Sequence, residues 1–297
     1  MSKRILPSVM HDDEIPNKIF RNNWQTQNLL GRVKLITEII NRHYGSDKYY
    51  ALKEFSIFDT RGNHMETTTF IEQEQDLFLF KDRYTYKYDN KGNYIEKAWF
   101  EDNGSLRIKI IFRFDEQDKV IEIAKYDHNN ALTDKMGYIY DIPGNVVGYS
   151  SVFPQSGYKY TYDAPGRCTS QECYNNDSTN CSRKSFFVYT DDTIEETTFG
   201  KDGLLQWKVL SQYNNKEQLI RRTHYSASGN TDFEDSWQYD DFGNLIAYIK
   251  KNGEVINKDI SWRSECAYDN YGNWIKNNAY SPGGTLKWSA ARKIEYF

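Results

Sequence analysis

The chain has 297 residues and a formal charge of −4, so it carries neither the basic bias of a nucleic-acid binder nor an acidic solvating tail. Leu, Ile, Val and Phe make up about a fifth of it, while Phe, Trp and Tyr together reach 16%. Aromatics must then supply much of the core, which favours strands and excludes both a disordered chain and a helical bundle.

No apolar run approaches the roughly 18 residues of a spanning helix. The basic start Met1-Ser2-Lys3-Arg4 meets His11, Asp12, Asp13 and Glu14 before a signal-peptide stretch develops. Four cysteines (Cys168, Cys173, Cys181, Cys266) are too few and too clustered for a disulfide framework. Together these features predict a reduced, cytoplasmic protein with no membrane partner.

Residues 1–50 read differently from the rest. Leu29, Val33, Ile36, Ile40 and Tyr44 follow helical spacing, Leu30 and Ile39 widen the stripe, and Gly45 stands ready as a C-cap. They predict an α-helix over 24–44 within an N-terminal cap segment, 1–50, that covers the first exposed sheet edge or fills the concave side.

From residue 51 to 297 one pattern recurs: an aromatic, Asp, two variable residues, Gly, Asn. It reads Phe58 to Asn63, Tyr88 to Asn93, Tyr140 to Asn145, Tyr162 to Arg167, Tyr239 to Asn244 and Tyr268 to Asn273. Decayed copies begin at Phe114, Tyr189 and Tyr213. The nine copies recur about every 26 residues, a period that signals stacked supersecondary units. Each is a hairpin turn: Asp accepts from the backbone ahead of it and Gly takes a positive φ. Looser turns fall midway, at Gly104, Asn130, Gly203, Gly229, Gly253 and Gly284.

Between turns the apolar residues alternate as strands require. Leu106, Ile108, Ile110, Phe112 and Phe114 share a face, as do Tyr84, Tyr86 and Tyr88, and Tyr158, Tyr160 and Tyr162. The expected fold is mainly β: a long antiparallel meander of about nine two-stranded repeats forming a twisted or spiralling sheet, with the N-terminal α-helix.

Tyr-Asp-x-x-Gly-Asn, as in Tyr88 to Asn93 and Tyr268 to Asn273, resembles the YD-repeat, or RHS-repeat, family over about residues 50–297. The resemblance implies a spiralling antiparallel sheet, a toxin-enclosing shell in the longest members, and carbohydrate or protein binding in others. This chain is too short for a large shell, has no Asp-Pro dipeptide of the kind tied to self-cleavage, and carries no evident toxin domain.

No Gly-x-Ser-x-Gly elbow, P-loop, dinucleotide fingerprint or His-Glu-x-x-His occurs, and the five histidines are scattered. The spacing of Cys168, Cys173 and Cys181 does not suit structural zinc. The chain therefore reads as non-enzymatic, without cofactor or metal. Binding remains, through large aromatics: Trp99, Trp207, Trp237, Trp262, Trp274 and Trp288 are the candidate partner-binding residues. The best reading is a scaffold for a single protein partner, specifically a cytoplasmic immunity protein that blocks a toxin effector. A carbohydrate-binding module and a structural shell-like YD-repeat protein are the alternatives.

Overall fold

The computed structural model describes residues 28–44, 48–74, 77–151, 156–175 and 181–297. The first strands are β1 (Val33–Tyr44), β2 (Lys48–Phe58), β3 (His64–Glu74), β4 (Leu77–Tyr88), β5 (Tyr94–Phe100), β6 (Leu106–Phe114) and β7 (Val120–Asp127). Next come β8 (Leu132–Tyr140), β9 (Val146–Ser151), β10 (Ser156–Tyr162), β11 (Cys168–Asn175), β12 (Cys181–Tyr189), β13 (Thr193–Gly200) and β14 (Leu205–Tyr213). The series ends with β15 (Leu219–Ser226), β16 (Thr231–Tyr239), β17 (Leu245–Asn252), β18 (Val255–Ile256), β19 (Trp262–Tyr268), β20 (Trp274–Tyr280) and β21 (Leu286–Tyr296).

The turn motif works as a side-chain clamp. In the copy at Tyr88, Asp89 Oδ1 accepts from the amides of Lys91 and Asn93 at 2.9 and 2.8 Å, and Oδ2 accepts from the Asn93 side-chain amide at 2.9 Å. The tyrosine hydroxyl donates to a backbone carbonyl in the preceding repeat: Tyr88 to His64, Tyr140 to Val120, Tyr162 to Val146. In these copies the motif tyrosine ties its hairpin to the one before it, which no turn requirement explains. Decayed copies other than the one at Tyr189 keep the geometry. Arg167 Nε reaches Asp163 at 2.7 Å where Asn would stand. Asp118 and Glu217 hold positive φ, 61° and 62°, where Gly belongs. The copy at Tyr189 departs from it, closing through a tighter bond from Thr190 N to Thr193 O.

Every strand pairs antiparallel with its sequence neighbours except that β18 and β19 both pair with β17, and β1 also pairs with β21 from Val33↔Tyr296 to Arg42↔Trp288. The sheet is therefore a closed barrel rather than the expected twisted or spiralling sheet with an N-terminal helix. Strands β18 and β19 share one partner, β17, through Lys251↔Ile256 and Tyr248↔Trp262. They are one strand interrupted by residues 257–261, so the wall has twenty strands. Ser261, fully buried, bridges the interruption: its Oγ accepts from Lys250 N at 3.0 Å and donates to Lys250 O at 3.3 Å.

Closure is made by a tenth turn split between the two ends of the described chain. Phe297 N donates to Arg32 O at 2.9 Å, the counterpart of Asp89 N to Asn93 O at 3.0 Å. Gly31 has φ +80°, matching Gly92 at +85°, and Val33↔Tyr296 repeats the pairing Tyr94↔Tyr88. Tyr296 and Phe297 supply the first half of the motif, and Gly31, Arg32 and Val33 supply the second.

The predicted helix over 24–44 is replaced by β1 over Val33–Tyr44, and no helix occurs among the described residues; Trp24 to Gln27 and Gly45 lie outside them. Val33, Ile36, Thr37, Ile39 and Ile40 are β-branched, which lowers helix propensity and suits a pleated surface. Two open edges, β2 and β21, complete the choice, since each offers β1 a full ladder of backbone bonds. Strand β1 and the strand spanning residue 50 belong to the same sheet as the repeats.

Twenty strands about 4.8 Å apart and tilted by about 40° give a circumference on the order of 125 Å and a radius of about 20 Å. A side-chain layer about 5 Å thick leaves the barrel hollow. The two sheet faces differ. On one, Phe112, Ile123, Tyr138, Tyr149, Tyr160 and Phe187 form a continuous buried cluster. On the other, Ile139 and Val188 are 64% and 61% exposed. Closing a sheet crowds side chains on the concave face and splays them on the convex one, so the first is the inner wall. The outer wall carries ion pairs such as Lys87–Glu96, Lys184–Glu172 and Lys208–Glu195, all at 2.7 Å.

Candidate functional site: the inner wall

Cross-strand register decides where the six candidate tryptophans point, because residues directly paired share a face. Trp99 pairs with Tyr84, and Trp207 with Thr198; Trp237 pairs with Tyr248, which pairs with Trp262. Trp288 pairs with Ala279, and Trp274 with Tyr268. Following these pairs around the barrel puts all six on the inner wall, and all six are half-buried. Five lie on the arc β14–β21; Trp99 stands apart on β5.

Within that arc the rings form a row. Trp237 and Tyr248 have centroids 5.7 Å apart, and Trp262 and Trp288 meet edge-on at 6.2 Å across the small Ala279. Outside the arc, Trp99 stacks on its register partner Tyr84 at 5.5 Å. Cations cover most of the indoles. Arg292 lies 3.3 Å over Trp274, Arg107 4.0 Å over Trp99, Arg183 5.2 Å over Trp207 and Arg222 5.9 Å over Trp237. Nearby, Lys250 sits 3.8 Å over Phe233, whose other contact is His224 stacked at 4.0 Å. Burial and then Arg222 hold the His224 imidazole below its usual range, so it adds little charge at neutral pH.

The acids of the inner wall are placed to balance these cations. Tyr248 donates its hydroxyl to Asp235 at 2.6 Å. Arg292 Nε donates to Glu38 at 2.8 Å across the β1–β21 seam, and Glu54 is the register partner of Glu38. Burial, reinforced by the neighbouring Glu38, pushes the Glu54 carboxyl above the usual range; Arg292 opposes this. Burial also lowers the Arg292 guanidinium, against the pull of Glu38. His64, packed between Phe58 and Tyr86, is pushed down to about 4 by burial and is neutral. Cys168 is buried, and burial pushes its thiol up to about 12, which keeps it protonated at neutral pH.

A concavity of about 560 Å³ on this wall lies at the end of the looser turns. Tyr158, Cys173, Arg183 and Gly200 form a straight register row along it, with Trp207 beside them. Cys173 and Gly200 are short where Tyr158, Arg183 and Trp207 are long, which makes the notch. Sequence reasoning found Trp207 but missed Arg183, Arg222, Lys250 and Arg292. The strands hold them at inward positions by the same period of two that placed the tryptophans, yet only pairing register shows which charges sit over which rings.

A hollow, closed antiparallel barrel with an aromatic and charged inner wall is the class these features define. No protein-family model matches the chain, and no curated protein matches it in sequence. Among solved structures, a porin-like protein from Bacteroides uniformis is 9% identical with a TM-score of 0.40, covering 89% of this chain and 98% of that one. A porin-like protein from Bacteroides vulgatus is 12% identical with a TM-score of 0.32, covering 78% and 98%. The TcdB2-TccC3-Cdc42 structure is 11% identical with a TM-score of 0.33, covering 83% of this chain and 18% of that one.

Proposed function

We propose that this chain is a short YD-repeat-type protein that binds without catalysis, and that its working surface is the inner wall. One observation carries the reading: the six tryptophans of the repeats, scattered in sequence, all face the lumen and none is fully buried. Large aromatics beside paired charges are the composition of a protein interface core. The occupant is a segment of a single protein partner, best read as a toxin effector that the barrel neutralises in the cytoplasm. The ion-paired outer wall supports a protein that works away from lipid, since a membrane-spanning barrel needs an apolar outer band.

The test is capture of the partner from native cytoplasm with the full chain, then the same capture with Trp237→Ala and Trp262→Ala. A single stoichiometric companion that both variants lose, at unchanged melting temperature, supports the proposal. Co-expression should then relieve the growth defect that companion causes. Retention of the companion by both variants, or a companion with no toxicity, refutes the respective part.

A further inference from the structure

We propose a small-ligand site at the motif-turn rim, between the β8–β9 and β10–β11 turns, that takes an uncharged aromatic ring bearing a primary carboxamide. It is independent of the partner-binding reading. A cavity of about 310 Å³ opens there, at the small end of the roughly 300–1,000 Å³ of ligand sites. Asn145, only 5% exposed, lines it and turns its side-chain oxygen toward the next turn, 3.4 Å from where a Cβ on Gly166 would stand. Its amide nitrogen is committed to Asp141 at 3.0 Å, and among the described residues nothing donates to that oxygen. Tyr160, 4% exposed, lines the same cavity, and its buried hydroxyl has no partner among the described residues either. Buried polar groups of this kind call for a hydrogen-bonding occupant.

The protein carries its own template for what fits. At the corresponding β16–β17 turn, Asn244 also gives its amide nitrogen to the motif aspartate, Asp240, at 3.0 Å, but its oxygen accepts from the Asn28 carboxamide at 2.9 Å. The same Asn28 nitrogen donates to Phe242 O at 3.2 Å. The Phe242 ring packs on Tyr268, the tyrosine of the next motif copy, with centroids 5.0 Å apart. Asn145, Pro143 and Tyr162 line the cavity in the places of Asn244, Phe242 and Tyr268. A ligand ring over Tyr162 takes the position of the Phe242 phenyl, and a carboxamide N–H shared by Asn145 Oδ1 and Pro143 O takes that of Asn28. The carboxamide oxygen is then the acceptor for the Tyr160 hydroxyl. Pro143, Val147 and Pro165 give the ring apolar walls. Charge argues for a neutral ligand: Asp141 and Asp163 line the cavity, but Arg167 Nε lies 2.7 Å from Asp163, and Lys119 reaches over Gly144 and Tyr140 beside Asp141.

Ligand-observed NMR titration of the full chain with benzamide, benzoate, benzylamine and acetamide tests the assignment. Benzamide should bind with a Kd of about 1 mM, and the other three at least about tenfold more weakly. Pro143→Phe gives this turn the side chain that the β16–β17 turn has in Phe242. It should weaken benzamide at least about tenfold, at a melting temperature equal to or above that of the wild type. Tyr160→Phe removes a buried hydroxyl that bonds nothing in the free protein, so it should leave the melting temperature unchanged or raised while weakening benzamide by about threefold or more. No benzamide binding at about 10 mM, or unchanged affinity in Pro143→Phe, overturns the site. Unchanged affinity in Tyr160→Phe overturns the contact with the carboxamide oxygen. Benzoate or benzylamine binding as tightly as benzamide overturns the neutral carboxamide class, and acetamide binding as tightly overturns the aromatic one.

Discussion

Replacing Arg292 by Leu tests the account of how the barrel closes. Arg292 is the cation of the β1–β21 seam: it bonds Glu38, stacks on Trp274, and offsets the burial that pushes Glu54 up. Losing one partner of a buried ion pair costs about 3–5 kcal/mol. Here the Arg292 and Glu38 side chains are 21% and 13% exposed, so water recovers part of that and a loss of about 2–3 kcal/mol is expected at pH 7. The sign of the pH dependence follows from Glu54. A carboxyl whose pKa is raised on folding contributes its stability below the unfolded value of 4.5 and loses it as pH rises through the folded value. Without Arg292 the folded value rises further, so the deficit of the variant should be largest at pH 7 and shrink toward pH 4.5. Both proteins share the turn aspartates, and only their difference is read. Urea denaturation followed by tryptophan fluorescence at the two pH values gives that difference, and amide exchange should show β1 and β21 opening first. A deficit below about 1 kcal/mol at pH 7, or an equal deficit at both pH values, would refute this reasoning.

Glu217→Gly should stabilise the protein. Relief of a left-handed non-glycine residue, worth about 1–2 kcal/mol, outweighs the roughly 0.5–1 kcal/mol of added chain entropy, and thermal melting should rise by about 1–2 °C. A lower melting temperature would show that Glu217 makes a compensating contact. The split turn predicts that a circular permutant will fold: residues 28–297 with Phe297 joined to Asn28 by a short Gly-Ser linker and new termini opened at the exposed turn of Gly253. Its circular dichroism and elution volume should match those of the parent, whereas aggregation would mean that the seam is not equivalent to the other nine turns.

The hairpin repeat was legible in the sequence because its turn chemistry is local. Asp89, Gly92 and Asn93 bond one another within six residues, so the pattern, its period and the strand alternation all survive in one dimension. The same locality explains why decayed copies could be recognised at Phe114 and Tyr213, where Asp118 and Glu217 keep the left-handed conformation. The candidate tryptophans were legible as a set, but their shared inward direction was not, since a face has no inside until the sheet closes.

What the amino-acid sequence determined by itself was a meander of antiparallel hairpins rich in aromatics. Tertiary structure alone decided three things. Residues 33–44 became a strand because β2 and β21 both needed a partner, an edge requirement that helical spacing at Val33, Ile36 and Ile40 cannot register. The sheet closed because Tyr296-Phe297 and Gly31-Arg32-Val33, more than 260 positions apart by their numbering, complete one turn between them. Arg292, Trp274, Glu38 and Glu54 became one cluster only through that closure. Local bonds set the repeat, but curvature accumulates over twenty strands, and only the completed circuit determines which residues meet.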